Sequence, residues 1–395
     1  MDMTPSSTSR FASELAADMA LLKTSGRHRL LRDIAHGPGA LAEWQGQTYR
    51  NFSSNDYMGL AGNLALRREF YTQFSDAASP ELAHSSASSR LLTGNTPAYS
   101  RLEQTLSDLY GHRAALVFNS GYHANIGILP ALAGPKDLIL SDKLNHASII
   151  DGLRLAQADF KRYQHLDLDQ LHDLLAKHRA DYRRVFIVTE SVFSMDGDSA
   201  DLQTIARLKR DFDAILVVDE AHAVGVRGPQ GTGLAAEQGV MRDVDILIGT
   251  FGKALGSTGA YAIMEPEVKD YLVNHMRPLI FTTGLPPVIL NWSAFALRKC
   301  AAMDAERARL LALATQLRTQ FQARGLKTGG DSQIVPLVVG ADQDACDLAQ
   351  HYLDHGILVF AIRPPTVPKG TARLRFSLSA ALSREDVELA GGFRP

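Results

Sequence analysis

Three short stretches of the chain hold residues fit for chemistry, and each follows an apolar run. Asn119-Ser120-Gly121-Tyr122-His123-Ala124-Asn125 follows Ala114–Phe118. A small residue and a glycine opening a helix present backbone N–H groups at its positive end, which suits a phosphate. Taken alone, the stretch reads equally well as an ordinary strand-to-helix turn. Asp219-Glu220-Ala221-His222 closes the run that starts at Ile215. A carboxylate at the end of a buried strand is costly without a partner, and a cationic ring nitrogen is one such partner. His222 is placed to reach another polar atom of the same ligand. By itself the pair also reads as a helix N-cap and a surface histidine. Thr250-Phe251-Gly252-Lys253-Ala254-Leu255-Gly256 follows Ile246–Gly249. Partial burial lowers a lysine pKa and makes the amine a nucleophile or Schiff-base former. Ala254 excludes a Walker A loop, and Ala236 at the third position breaks G-x-G-x-x-G in Gly225–Gly233. An anion site, a strand-end carboxylate, a nearby donor and a strand-end amine are together what pyridoxal 5′-phosphate (PLP) requires.

Positioning these residues needs a regular scaffold. Apolar or β-branched runs at Ala114–Phe118, Asp137–Leu140, Val185–Thr189, Ile215–Asp219, Ile246–Gly249 and Ala260–Met264 alternate with helical patterns near 122–133, 146–157, 167–178 and 200–212. That alternation predicts an α/β fold with a mostly parallel sheet covered on both faces. Ligands then bind beyond the carboxyl ends of the strands. Phe11, Leu15, Met19 and Leu22 recur at helical spacing and predict a helix over 10–34, stopped by Gly37-Pro38-Gly39. A long helical stretch over 288–324 leads into a small C-terminal α/β unit with apolar runs at Ile334–Val339, Ile357–Ile362 and Arg373–Leu378 and a helix near 343–355. The expected organisation is a helical arm and lead-in strand over 1–50, a large α/β domain over 51–287 and a small domain over 288–395.

Composition excludes several classes of function. The 395 residues carry 41 Lys+Arg against 43 Asp+Glu, a balance without the basic excess of a nucleic-acid binder. The sequence shows no uninterrupted apolar run of membrane-spanning length and no secretory pattern at its start. Two cysteines, Cys300 and Cys346, make no disulfide framework, so a reducing, cytoplasmic setting is expected.

The motifs resemble the PLP-dependent α-oxoamine synthases of the fold-type I superfamily over roughly residues 25–390. The matching stretches are Asn51–Leu60, Asn119–Asn125, Asn145–Ser148, Thr189–Asp198, Asp219–Gly225, Thr250–Gly256 and Ala361–Arg375. The resemblance implies a large domain with a seven-stranded, mostly parallel sheet and a small C-terminal domain. It implies that Lys253 binds the cofactor covalently and then serves as base at the substrate Cα. Asp219 would pair with the ring nitrogen, His222 with the ring oxygen, and His146 would stack on the ring. The Gly121 and Tyr122 amides with Thr250 would take the phosphate, Ser194 would lie near the ring oxygen, and Thr282 and Thr283 would be lent to the phosphate by a neighbouring subunit. Arg363 would fork onto the amino-acid carboxylate, with Asn55, Thr366 and Arg29 also on the substrate. Gaps near the start leave Arg27 and Arg32 as alternatives to Arg29.

The Ile362–Arg375 stretch favours the branch of the family that joins L-alanine to a pimeloyl thioester, on CoA or a carrier protein, in biotin synthesis. Siblings that condense glycine or serine are the alternative. A homodimer is implied; no nucleic acid, membrane or metal is. Tyr122 stays open between packing and covering the cofactor, and Glu190 between a structural carboxylate and the acyl-transfer site. One of Arg373 and Arg375 fits a structural salt bridge. His112, His165, His172, His178, His351 and His355 read as solvated. Relatives carry a glycine-rich stretch where this chain has Ser85–Arg90, and a glycine where it has Ser191. The serine-rich loop is then expected to be stiffer.

Overall fold

Successive side chains of a strand point to opposite faces, and the strands here use both faces for core. Val185, Ile187, Leu216 and Val218 enter the larger apolar cluster. Phe186, Val188 and Val217 enter a second one on the other side. A strand buried on both faces reads as a continuous apolar run, which is why these runs stand out in the sequence.

The structure is a computed structural model and describes residues 9–24, 27–74, 76 and 78–393. The first eight residues of the expected arm lie outside the described residues. The central sheet has seven strands in the order Ala114–Phe118, Ala260–Met264, Ile246–Thr250, Ile215–Asp219, Arg184–Glu190, Asp137–Asp142, Asp159–Tyr163. Ala260–Met264 runs antiparallel to both neighbours; the other pairings are parallel. Asp159–Tyr163 is a strand the sequence did not announce. Its residues DFKRY are mostly polar, and it occupies an edge, where charged residues suit a strand with one open side.

The sheet delivers Asp219 and Thr250 at the ends of adjacent parallel strands, with Glu190 paired to Asp219 on the next one. Helices begin directly after two strands, at Gly121 and Ala147, and carry Asn125 and the N-cap His146.

Three expectations change. The first helix covers only Arg10–Thr24 and buries none of its residues. The 288–324 stretch is two helices, Pro287–Ala301 and Asp304–Ala323. The apolar run 357–362 splits into Ile357–Leu358 and Ala361–Ile362, which join different sheets. Ile357–Leu358 pairs in parallel with Gln47–Asn51, so the N-terminal lead-in strand is completed by the C-terminal segment. The remaining small sheet joins Ile334–Gly340, Ala372–Ser377 and Ala361–Ile362, and places Arg373 and Arg375 on its middle strand. Among the described residues no helix is long and apolar enough to cross a membrane, and no group of three or more His, Cys, Asp or Glu could hold a metal.

Candidate active site

The half-buried Lys253 lies just past the strand Ile246–Thr250, and its Nζ is 2.9 Å from Nε2 of the buried His222. His222 Nδ1 is in turn 2.7 Å from the Tyr57 hydroxyl, which donates to Asn55 Oδ1 at 3.0 Å. Burial, reinforced by the charges of Lys253 and Arg375, drives the His222 pKa well below its ordinary value. A neutral imidazole has one donor and one acceptor nitrogen. Lys253 donates to Nε2, so Nδ1 carries the proton and donates to Tyr57. The tautomer follows from the network.

Asp219 is almost fully buried and accepts from two neutral donors, Asn125 Nδ2 at 2.8 Å and the Ala221 N–H at 2.9 Å. A carboxylate has about four acceptor sites, so capacity remains for a charged N–H. His146 is exposed at the mouth of the site and feels the charges of both Asp219 and Lys253. Its backbone N–H donates to Glu190 Oε1 at 2.5 Å. Burial and the adjacent Asp219 charge push the Glu190 carboxyl above its usual range. Burial also lowers the Lys253 amine to about 8, against the pull of Asp219 and Glu190.

The turn that the sequence offers as an anion site opens a helix. Ser120 caps the helix Gly121–Leu132, its Oγ accepting the His123 N–H at 3.1 Å. A Cβ built on Gly121 meets nothing within 4 Å, which leaves the first turn open to a ligand. Tyr122 is exposed and donates to Asp151 at 2.7 Å. Asn119 Nδ2 donates to Thr283 O at 2.8 Å and approaches Thr282 Oγ1 at 3.5 Å, so this chain's own threonine pair borders the turn. Thr250 Oγ1 donates to Gly259 O at 3.1 Å, and a phosphate would compete for that proton. The residues present therefore fit PLP: an amine of lowered pKa, a buried carboxylate with spare acceptor capacity and an open helix N-terminus occur together.

Against this geometry the comparisons are specific. The model of the family "Aminotransferase class I and II" matches residues 48–390. The chain belongs to that family. It is a PLP-dependent transferase of fold type I. It is 50% identical over 375 residues to the 8-amino-7-oxononanoate synthase of Chlorobaculum parvum, covering 95% of this chain and 96% of that one. The enzyme of the same name from Haemophilus ducreyi is 49% identical over 381 residues, covering 95% and 98%. Among solved structures, a serine palmitoyltransferase from S. paucimobilis with bound PLP shares 30% identity at a TM-score of 0.87, covering 96% of this chain and 95% of that one. The Francisella tularensis 8-amino-7-oxononanoate synthase shares 29% at a TM-score of 0.72, covering 86% and 95%.

Within this family member the two arginines of the strand Ala372–Ser377 play different parts. Arg373 pairs with Asp196, the structural salt bridge expected of one of them. Arg375 is buried; it donates to Ser194 O, to Asn55 Oδ1 at 3.1 Å and to the Tyr57 hydroxyl at 3.3 Å, and so joins the Lys253 network. Arg363 lines a cleft with Arg27, Arg29, Pro364 and Thr366, where Arg29 donates to Thr366 at 3.1 Å. Tyr57 and Asn125 are the residues of the network to which sequence reasoning gave no role, while Arg375, inside the matched stretch Ala361–Arg375, was read only as one of two candidates for a structural salt bridge. Tyr57 and Asn125 lie inside the matched stretches Asn51–Leu60 and Asn119–Asn125, which was the signal available.

Two departures from the family pattern also find their places. Ser86 Oγ donates to Gly284 O at 2.8 Å and the Gly284 N–H to Ser88 O at 2.9 Å, which stitches the serine-rich loop to the segment after Thr283. Ser191 Oγ donates to the fully buried Glu220 carboxylate at 2.6 Å. Replacing Ser191 by Ala leaves that carboxylate one donor short, a loss of about 1–3 kcal/mol. We expect a lower urea midpoint with an unchanged slope; an unchanged midpoint would mean that the Leu234 and Ala235 N–H groups suffice.

Proposed function

We propose that this enzyme condenses L-alanine with a pimeloyl thioester, on CoA or a carrier protein, to give 8-amino-7-oxononanoate, carbon dioxide and a free thiol, a step of biotin synthesis. The relatives' names support the pathway. The structural observation that carries the substrate choice is the cleft beside the small domain. Met19, Leu22, Pro364, Pro365 and Val367 give it apolar walls, while Arg27, Arg29 and Lys369 give it cationic ones. That pairing suits a long acyl chain ending in a carboxylate.

Bound PLP supplies an aldehyde for the amine and a ring that accepts the electron pair released at Cα. The chain's own groups do the rest. Asp219 holds the proton on the ring nitrogen, because a nearby negative charge favours the charged form. Lys253 takes the Cα proton and later returns one. The Cα–acyl bond forms as the C–S bond breaks and the thiol leaves; the alanine carboxylate departs as carbon dioxide. His146 would stack on the ring, the Gly121 and Tyr122 amides with Thr250 and the threonine pair would hold the phosphate, and a homodimer in the cytoplasm would be the working form.

For the amino-acid carboxylate, Arg375 and Asn55 are the better-placed donors. Arg375 spends four N–H groups on Ser194, Asn55, Ser377 and Tyr57, which leaves one of its five for a ligand. Asn55 Oδ1 accepts from both Tyr57 and Arg375, so its amide N–H groups are what it offers. Arg375→Lys is expected to raise the alanine KM roughly tenfold or more, the worth of a charge-assisted bond. Arg363→Lys is expected to act on the thioester KM instead; the opposite split returns the carboxylate to Arg363.

The test of the reaction is product mass spectrometry with purified enzyme, PLP, a panel of acyl thioesters and alanine, glycine or serine. A product from glycine or serine but not alanine moves the enzyme to a sibling activity, the reading favoured by its likeness to serine palmitoyltransferase.

A further inference from the structure

One histidine expected to be solvated is not. His165 follows the edge strand Asp159–Tyr163; its Nδ1 is 3.0 Å from Asp142 Oδ1 and its Nε2 is 2.9 Å from Asp198 Oδ2. A carboxylate oxygen only accepts, so both ring nitrogens donate, and an imidazole protonated on both is a cation. Phe193 packs edge-on against the ring with centroids 4.4 Å apart. The buried Asp142 also accepts the Leu144 and Leu166 N–H groups at 2.8 and 2.9 Å, and Leu166 is held at a φ of 55°. The two carboxylates favour the ring's charge and raise its pKa to about 10.

The two carboxylates belong to different walls of the active site. Asp142 begins the turn that ends at Asn145-His146, whose far end is tied to Glu190. Asp198 closes the turn from Phe193, with the Phe193 N–H on Asp198 O at 3.0 Å and the Gly197 N–H on Phe193 O at 2.9 Å. Inside that turn Ser194 O accepts from Arg375, which leads through Tyr57 and His222 to Lys253.

We propose that His165 is a positioning residue: held between Asp142 and Asp198, it locks the turn that presents His146 to the turn that presents Ser194, and so fixes the width of the cofactor cleft. The inference rests on the PLP site described above but not on which substrates it takes.

Its test begins on the cofactor-free full chain, labelled with nitrogen-15 histidine. At pH 8 a free imidazole is mostly neutral, whereas His165 is expected to show two protonated nitrogens. A neutral ring there overturns the proposal. In His165→Gln, hydrogen exchange is expected to quicken about tenfold at 143–146 and at 193–198 together, and PLP affinity to fall about tenfold with kcat reduced. Asp198→Asn keeps an acceptor for the ring and removes one charge; it is expected to show the same pattern more weakly, and it decides the matter where His165→Gln does not fold. Faster exchange in one turn only, or a lower melting temperature with PLP affinity unchanged, shows a merely structural role. Exchange and PLP affinity are read without amino acid or thioester, so an error in the substrate assignment leaves them untouched.

Discussion

Lys253→Ala is expected to bind PLP without a covalent link and to lose turnover by at least about 10³-fold. In the proposed reaction the same amine binds the cofactor and moves the Cα proton, and a positioned base alone contributes roughly 10²–10⁴-fold. Borohydride reduction of the wild-type holoenzyme should add the cofactor mass to the peptide holding Lys253, and the variant should show no such addition. A variant that still turns over within tenfold of wild type would remove Lys253 from the chemistry altogether. The lowered pKa of this amine adds a sign. Below about 8 the amine is an ammonium and cannot attack an aldehyde. The rate at which the cofactor-free protein takes up PLP covalently should therefore rise with pH through that region and level off above it. A rate that still climbs about tenfold per pH unit at pH 9 without levelling would mean that neighbouring carboxylates restore the ordinary lysine pKa.

Asp219→Asn tests the other pole of the site. The amide keeps the shape of the carboxylate and removes its charge, in a position where burial magnifies charge effects. Asn125 and Ala221 would still orient the side chain. The ring nitrogen would lose the partner that keeps it protonated. The expected result is a fall in kcat of about 10²–10³-fold, the scale seen when one preorganised electrostatic contact is removed. PLP should remain attached to Lys253, so the borohydride product persists while turnover falls. That separates this variant from Lys253→Ala. Full activity in Asp219→Asn would show that the ring nitrogen works unprotonated.

The residues behind both variants were legible in the sequence alone. Lys253, Asp219, His222 and Gly121 each lie within a few residues of the end of a buried strand, and such strands announce themselves as apolar runs between helical patterns. The edge strand Asp159–Tyr163 was illegible because its exposed side chains carry no such pattern. The first helix was overextended because its apolar spacing continued where the backbone did not: the helix stops at Thr24.

By itself, then, the sequence determined the α/β sheet, the order of its chemistry-bearing ends and the family's cofactor, since all three are written in contiguous segments. Only the tertiary structure decided which distant groups complete the site. Asn125 reaches Asp219 across 94 residues, Tyr57 reaches His222 across 165 and Arg375 reaches Asn55 across 320. No local spacing encodes such meetings; they follow from how helices and the small domain pack against the sheet. For the same reason Arg375 is wired to Lys253 through Tyr57 and His222, and His165, read as solvated in its own segment, becomes a half-buried cation only where two carboxylates from separate turns converge on it.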